Sequence, residues 1–178
     1  LMTESGTLEE WKEHIGVMCK GQSLLQLAIS FSFTGILLTP CSQEGGALHY
    51  FGPSSTGKTT ALIVAGSTYG GGPKGYISQW RATDNALESI AALHNDGFLC
   101  LDEIGQASSK VVSEVAYMLP NGQGRARANR DGNAKEIKSW NIVFMSTGEL
   151  TLADSIALDS NRNTMAGQNV RILDIPCN

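Results

Sequence analysis

Gly52-Pro53-Ser54-Ser55-Thr56-Gly57-Lys58-Thr59 is the stretch that decides the fold. It has the spacing GxxxxGK[ST]. A short apolar run, Ala47 to Phe51, precedes it, and a helical pattern from Lys58 to Tyr69 follows. A glycine-rich turn between a buried strand and a helix points backbone N–H groups inward. There they hold phosphate oxygens, and the helix N-terminus adds positive partial charge. In this reading Gly52, Ser54, Ser55, Thr56, Gly57, Lys58, Thr59 and Thr60 cradle ATP. Lys58 neutralises the β- and γ-phosphates, and the Thr59 hydroxyl ligates Mg²⁺.

The matching half of the site is Phe98-Leu99-Cys100-Leu101-Asp102-Glu103. Four apolar residues predict a central strand with two carboxylates at its C-terminal end, where open α/β sheets bind ligands. Asp102 is expected to hold Mg²⁺ through water, and Glu103 to orient and polarise the attacking water. Asp102 lies 44 residues after Lys58, room for a helix, a strand and a helix. Such an arrangement puts a strand between the two motif strands and favours an ATPase over a small-molecule kinase. A third element, Met145-Ser146-Thr147-Gly148-Glu149, closes the next core strand, and either hydroxyl, Ser146 or Thr147, is a candidate γ-phosphate sensor.

Outward from these motifs the pattern alternates. Thr7-Leu8-Glu9-Glu10 is a capping box, with Leu8, Trp11, Ile15 and Met18 at helical spacing behind it. A mostly apolar helix is expected from Ser23 to Leu38, ending before Pro40. Further strands are expected at Gly75–Trp80, Asn141–Met145 and Val170–Ile175. Further helices are expected from Thr83-Asp84, from Ser108 or Ser109 to Leu119, and over Thr151–Leu158. Strands alternating with helices predict an α/β fold, a mostly parallel sheet with helices on both faces. The whole chain reads as one domain: N-terminal helices over about 1–40 and a nucleotide-binding core over 41–178.

Composition agrees. The chain has 178 residues, 42% hydrophobic and 17% charged, which is globular and not disordered. The net charge of −4 disfavours a uniformly basic nucleic-acid binder but leaves room for a basic patch. Cys19, Cys41, Cys100 and Cys177 form no CxxC or zinc spacing and point to a reducing, cytoplasmic setting. The apolar stretch Leu24–Leu38 is interrupted by polar residues and is too short for a membrane span. Leu1 is not a start methionine, so the chain is expected to be a fragment of a longer protein.

Two sets of arginines stand out. Arg162 and Arg171 follow the Ser146 strand and are candidate arginine fingers for a neighbouring subunit's nucleotide. Gly122–Ser139 breaks the helix–strand rhythm with Arg125, Arg127, Arg130, Lys135 and Lys138 against Asp131 and Glu136. This local +3 leaves −7 for the remainder. Asp131-Gly132 is a hairpin turn signal, and a basic β-hairpin over about 122–140 is expected to grip nucleic-acid phosphates through Arg125, Arg127 and Arg130.

With these residues in view, the chain resembles the domain of unknown function 927 family of phage and mobile elements. The blocks that carry the likeness are Phe51–Thr60, Trp80-Arg81-Ala82-Thr83-Asp84-Asn85, Leu93-His94-Asn95-Asp96, Leu101–Gln106 and Asn121-Gly122-Gln123-Gly124, with Ala166-Gly167-Gln168 and Val170-Arg171 near the end. The resemblance implies a P-loop AAA+-like (RecA-like three-layer) ATPase similar to minichromosome-maintenance-type helicases. It also implies a Walker A motif at Gly52–Thr59, a Walker B motif at Asp102-Glu103, and a hexameric ring on single-stranded or forked DNA. Met165 stands where the family suggests a basic residue, which favours Arg171 as the finger. The AAA+ helical lid, with its second sensor arginine, is expected to be missing or to lie beyond this fragment. The expected function is an ATP-driven DNA motor, and the alternative is a nucleotide-dependent switch or assembly ATPase acting on a protein partner. Trp80, Arg81 and His94 match the family without an assigned chemistry.

Overall fold

The computed structural model describes residues 2–71, 76–126, 136–158 and 171–178. Five strands, β1 (Gly46–Phe51), β2 (Ile77–Gln79), β3 (Gly97–Asp102), β4 (Ile142–Gly148) and β5 (Ile172–Pro176), pair in the order β2-β3-β4-β1-β5. Every pairing is parallel. The central strands are buried on both faces, so they read as near-continuous apolar runs.

Alternation along those runs separates two cores. Ala47, Leu99, Leu101, Ile142 and Phe144 share one cluster with residues of α4 (Asp84–Leu93), α5 (Ser109–Asn121) and α6 (Leu152–Ala157). Leu48, Tyr50, Phe98, Cys100, Val143 and Met145 share the other with residues of α2 (Ser23–Thr34) and α3 (Lys58–Ser67). The result is three layers, helix on sheet on helix, as expected of an α/β chain.

The capping box forms as the sequence predicts. Thr7 Oγ1 accepts from the Glu10 amide at 3.2 Å, and the Glu10 carboxylate accepts from the Thr7 amide at 2.8 Å. The helix it starts is shorter than expected. α1 (Leu8–Trp11) passes at once into a π turn over Lys12–Gly16. The extra residue in that turn advances the helical phase. Cys19 is carried inward to 3% exposure, while Met18 stays 73% exposed and off the predicted stripe. Trp11 anchors the segment, its indole N–H donating to Ser67 Oγ at 2.9 Å.

Pro120 does not end α5 but sits inside its last turn, and Gly122 (φ +71°) makes the stop. The freed C-terminal carbonyls find partners: the Trp140 indole donates to Leu119 at 2.9 Å. All four cysteines are free thiols. Among the described residues no helix is long and apolar enough to cross a membrane.

Because Phe144 lies fully buried in the middle strand, Phe144→Ala should cost about 3–5 kcal/mol. Equilibrium denaturation of the two forms measures it, and a cost under about 1 kcal/mol would mean that this face of the sheet is not close-packed.

Candidate functional site

Parallel pairing brings the C-terminal ends of β1, β3 and β4 to one edge of the sheet. The strand between β1 and β3 is β4; β2, which precedes β3 in sequence, takes the outer edge instead. The loop after β1 runs from Gly52 to Gly57 into α3. Its two glycines are needed for different reasons. At Gly57 φ is +86° with open space around a would-be Cβ, so conformation alone demands glycine. At Gly52 a Cβ would sit 2.3 Å from the Cys177 carbonyl, so close approach also excludes a side chain.

Lys58 is the first residue of α3 and only 9% exposed. Its ammonium donates to the Gly52 carbonyl at 2.8 Å and the Pro53 carbonyl at 2.6 Å. The next residue, Thr59, donates its hydroxyl to the Asp102 carboxylate at 3.2 Å. From β4, Thr147 Oγ1 donates to Asp102 at 2.6 Å and accepts the Glu103 amide at 3.0 Å. Glu103 adopts φ +61°, a left-handed conformation uncommon outside glycine. The Thr147 hydroxyl is one of the contacts that hold it there. Ser54, Ser55, Lys58, Thr59, Thr60, Glu103, Thr147 and Glu149 line a cleft of about 270 Å³.

The two hydroxyls left open by the sequence part company here. Thr147 faces the cleft. Ser146 points to the opposite face of the sheet, where its Oγ meets the Trp80 indole N–H at 2.8 Å and His49 Nδ1 at 3.0 Å. This corrects the expectation for Ser146: neighbouring residues on a strand face opposite ways, so only one of the pair reaches the cleft. His49 and Trp80 thereby acquire a place that sequence reading did not assign. Burial drives the His49 ring below the usual histidine range, partly offset by its hydrogen bond to Leu150 and by the Asp174 charge. His94 is structural, its Nδ1 2.8 Å from the Ile90 carbonyl and its ring edge-on to Tyr76.

A second cleft of about 310 Å³ adjoins the first, sharing Gly57 and Thr60 as walls. Gln22, Leu24 and Leu25 at the start of α2 line it together with Tyr50, Ala61 and Cys177, and the Tyr50 hydroxyl donates to the Leu24 carbonyl at 2.7 Å. The sequence carried no signal for this cleft, because its walls come from three distant segments.

The predicted arginines lie elsewhere. Arg171 stands at the N-terminal edge of β5, the end of the sheet away from the cleft, and pairs with Glu44 at 2.8 Å. Arg162 lies outside the described residues, as do Arg127, Arg130 and the Asp131-Gly132 turn. The root of the expected hairpin is described: Gln123 bridges Ser139 antiparallel, and the Gly124 amide donates to the Lys138 carbonyl at 2.8 Å. Arg125, expected to contact nucleic-acid phosphates, is engaged within the chain. Its guanidinium is held at 3.1 Å from both Asp84 of α4 and Glu114 of α5. Two carboxylates engage this half-exposed side chain and tie the segment's root to two helices.

The model of the family described as Domain of unknown function (DUF927) matches residues 1–139. The fold is similar to that of a solved structure described as "SCCmec type IV Cch - active helicase", at 29% identity and a TM-score of 0.77. That likeness covers 99% of this chain and 32% of the other, so the chain spans about a third of that helicase. No curated protein matches the sequence.

Arg125→Ala should destabilise the domain by about 1 kcal/mol at low salt, the scale of partly exposed ion pairs. The loss should shrink as added salt screens the pairs. Denaturation midpoints at two ionic strengths test this, and a salt-independent loss would assign the effect to packing instead.

Proposed function

Since the chain belongs to the DUF927 family and its fold is shared by a helicase, we propose that it is the ATP-hydrolysing, AAA+-like P-loop core of a mobile-element DNA helicase. One observation carries the reading. A glycine loop with a buried lysine, a threonine–aspartate pair and a glutamate meet at one edge of a parallel sheet.

The residues fit a nucleotide with Mg²⁺. Thr59 and Asp102 offer hard oxygen donors side by side. Among the described residues no cluster of three His, Cys, Asp or Glu forms an all-protein cage. One threonine and one aspartate suit Mg²⁺, which is usually held by one or two protein groups together with substrate phosphates. When bound, the metal neutralises charge on the transferring phosphate. Lys58 turns its ammonium from the loop carbonyls to the phosphates. Glu103, presented into the cleft by its left-handed backbone, orients the attacking water and accepts its proton. Thr147 holds the Glu103 amide. The adjoining cleft, walled by Leu24, Leu25, Tyr50 and Ala61, takes the nucleoside.

In a ring of subunits Arg171 or Arg162 supplies charge to a neighbour's nucleotide, and Arg127 and Arg130 contact the phosphates of single-stranded or forked DNA. A second reading, a nucleotide-dependent switch acting on a protein partner, is favoured by one observation: Arg125 is spent on Asp84 and Glu114. Charge reversal at Arg127 and Arg130 separates the two. The motor loses DNA-stimulated hydrolysis, whereas the switch keeps its rate.

Glu103→Gln should retain ATP binding and lose about 10²-fold or more in turnover, while Lys58→Ala should lose both. Undiminished hydrolysis in Glu103→Gln would place the base elsewhere. The nucleoside cleft has its own assay by competition with inorganic tripolyphosphate. The parent should prefer ATP, and Leu25→Trp should lower ATP affinity about tenfold while leaving tripolyphosphate binding intact. Equal losses for both ligands would remove the cleft from the nucleotide site.

A further inference from the structure

Behind the edge that carries Asp102, Glu103 and Thr147 lies a polar cluster on the other face of the sheet. His49 of β1 is fully buried and stands in register with Ser146 of β4. Its Nε2 lies 3.0 Å from the Leu150 carbonyl. A carbonyl can only accept, so Nε2 carries the proton. In the neutral ring Nδ1 is then the acceptor, and the Ser146 hydroxyl donates to it at 3.0 Å. The Ser146 oxygen in turn accepts from the Trp80 indole at 2.8 Å. Among the described residues no buried side-chain polar atom lacks a partner, and this cluster is closed in the same sense. Trp80 extends it to the carboxylate strand, its amide donating to the Asp102 carbonyl at 3.1 Å.

Leu150 stands two residues beyond the end of β4. The residues just before it include Thr147 and Glu149, both walls of the cleft. Gly148 makes room for the imidazole: a Cβ there would lie 3.2 Å from His49 Cε1 and 2.4 Å from Ile104 Cγ2. The backbone leaving β4 is therefore pinned from both sides. His49 holds it from behind through Leu150, and Thr147 holds it in front through Asp102 and Glu103. An aliphatic residue at position 49 would cost less to desolvate but would leave the Leu150 carbonyl without this donor.

We infer that His49 is a positioning residue: through the Leu150 carbonyl it fixes the exit of β4, so that Thr147 meets both Asp102 and the Glu103 amide. The inference rests on the ATP-hydrolysing reading of the cleft. His49 touches no group of the cleft itself. Its effect falls on turnover and not on nucleotide affinity, because the loop and Lys58 leave β1 beyond it.

The test compares His49→Gln with His49→Asn in the intact protein, with single-stranded DNA present. A glutamine amide reaches the place of Nε2 and can still donate to Leu150. The shorter asparagine amide reaches only the place of Nδ1. Affinity for a non-hydrolysable ATP analogue and KM for ATP should stay within about twofold of the parent in both variants. Turnover of His49→Asn should fall about tenfold, the scale of one lost hydrogen bond in the reacting geometry. His49→Gln should recover to within about threefold of the parent. Equal turnover in the two variants would overturn the inference, and so would nucleotide binding lost together with turnover, which would mean that His49 only holds the fold. A parent that binds nucleotide without hydrolysing it would remove the reading of the cleft, and the role of His49 with it.

Discussion

Asp102 accepts hydrogen bonds from two threonine hydroxyls that reach it from different elements: Thr59 at the start of α3 and Thr147 near the end of β4. That convergence depends on the parallel register of β1, β4 and β3. Phe51 pairs with Gly148, and Leu101 with Ser146, so the strands finish at one level. A slip of one residue would turn Thr147 to the far face and bring Ser146 to the cleft. The rest of the site hangs on that level. It sets where Lys58 starts its helix, where Glu103 turns into its left-handed conformation, and which side chains wall the cleft.

The two faces of the sheet divide the labour. The face toward α2 and α3 carries the glycine loop, Thr59, Asp102 and Thr147. The other face, toward α4, α5 and α6, carries the His49–Ser146–Trp80 cluster. A parallel sheet buried on both sides is usually filled with aliphatic residues. A buried histidine, serine and tryptophan indole are tolerated there because each polar atom meets another. Such networks hold geometry better than dispersion contacts, whose energy changes little over small displacements.

Several basic side chains on the surface are engaged by partners within the chain. Arg125 and Lys138, beside the Gln123–Ser139 bridge, bind Asp84, Glu114 and Ser89, so this part of the basic segment is fastened to α4 and α5. Arg171 is similarly engaged by Glu44 at the edge of the sheet away from the cleft.

Local patterns in the sequence determined the glycine loop after β1, the strand ending in Asp102-Glu103, the capping box at Thr7, and the alternating α/β order. Each of these is written in residues only a few positions apart, where spacing and backbone preference suffice. The tertiary structure decided the rest: Thr147 over Ser146, β4 as the strand between the motifs, the pairing of Arg125 with Asp84 and Glu114, and the link from His49 to Leu150. His49 and Leu150 are 101 positions apart. Nothing local distinguishes that histidine from any other apolar-strand residue. Its partners exist only once two strands have chosen their register, and register is set by the packing of the whole sheet between its helices.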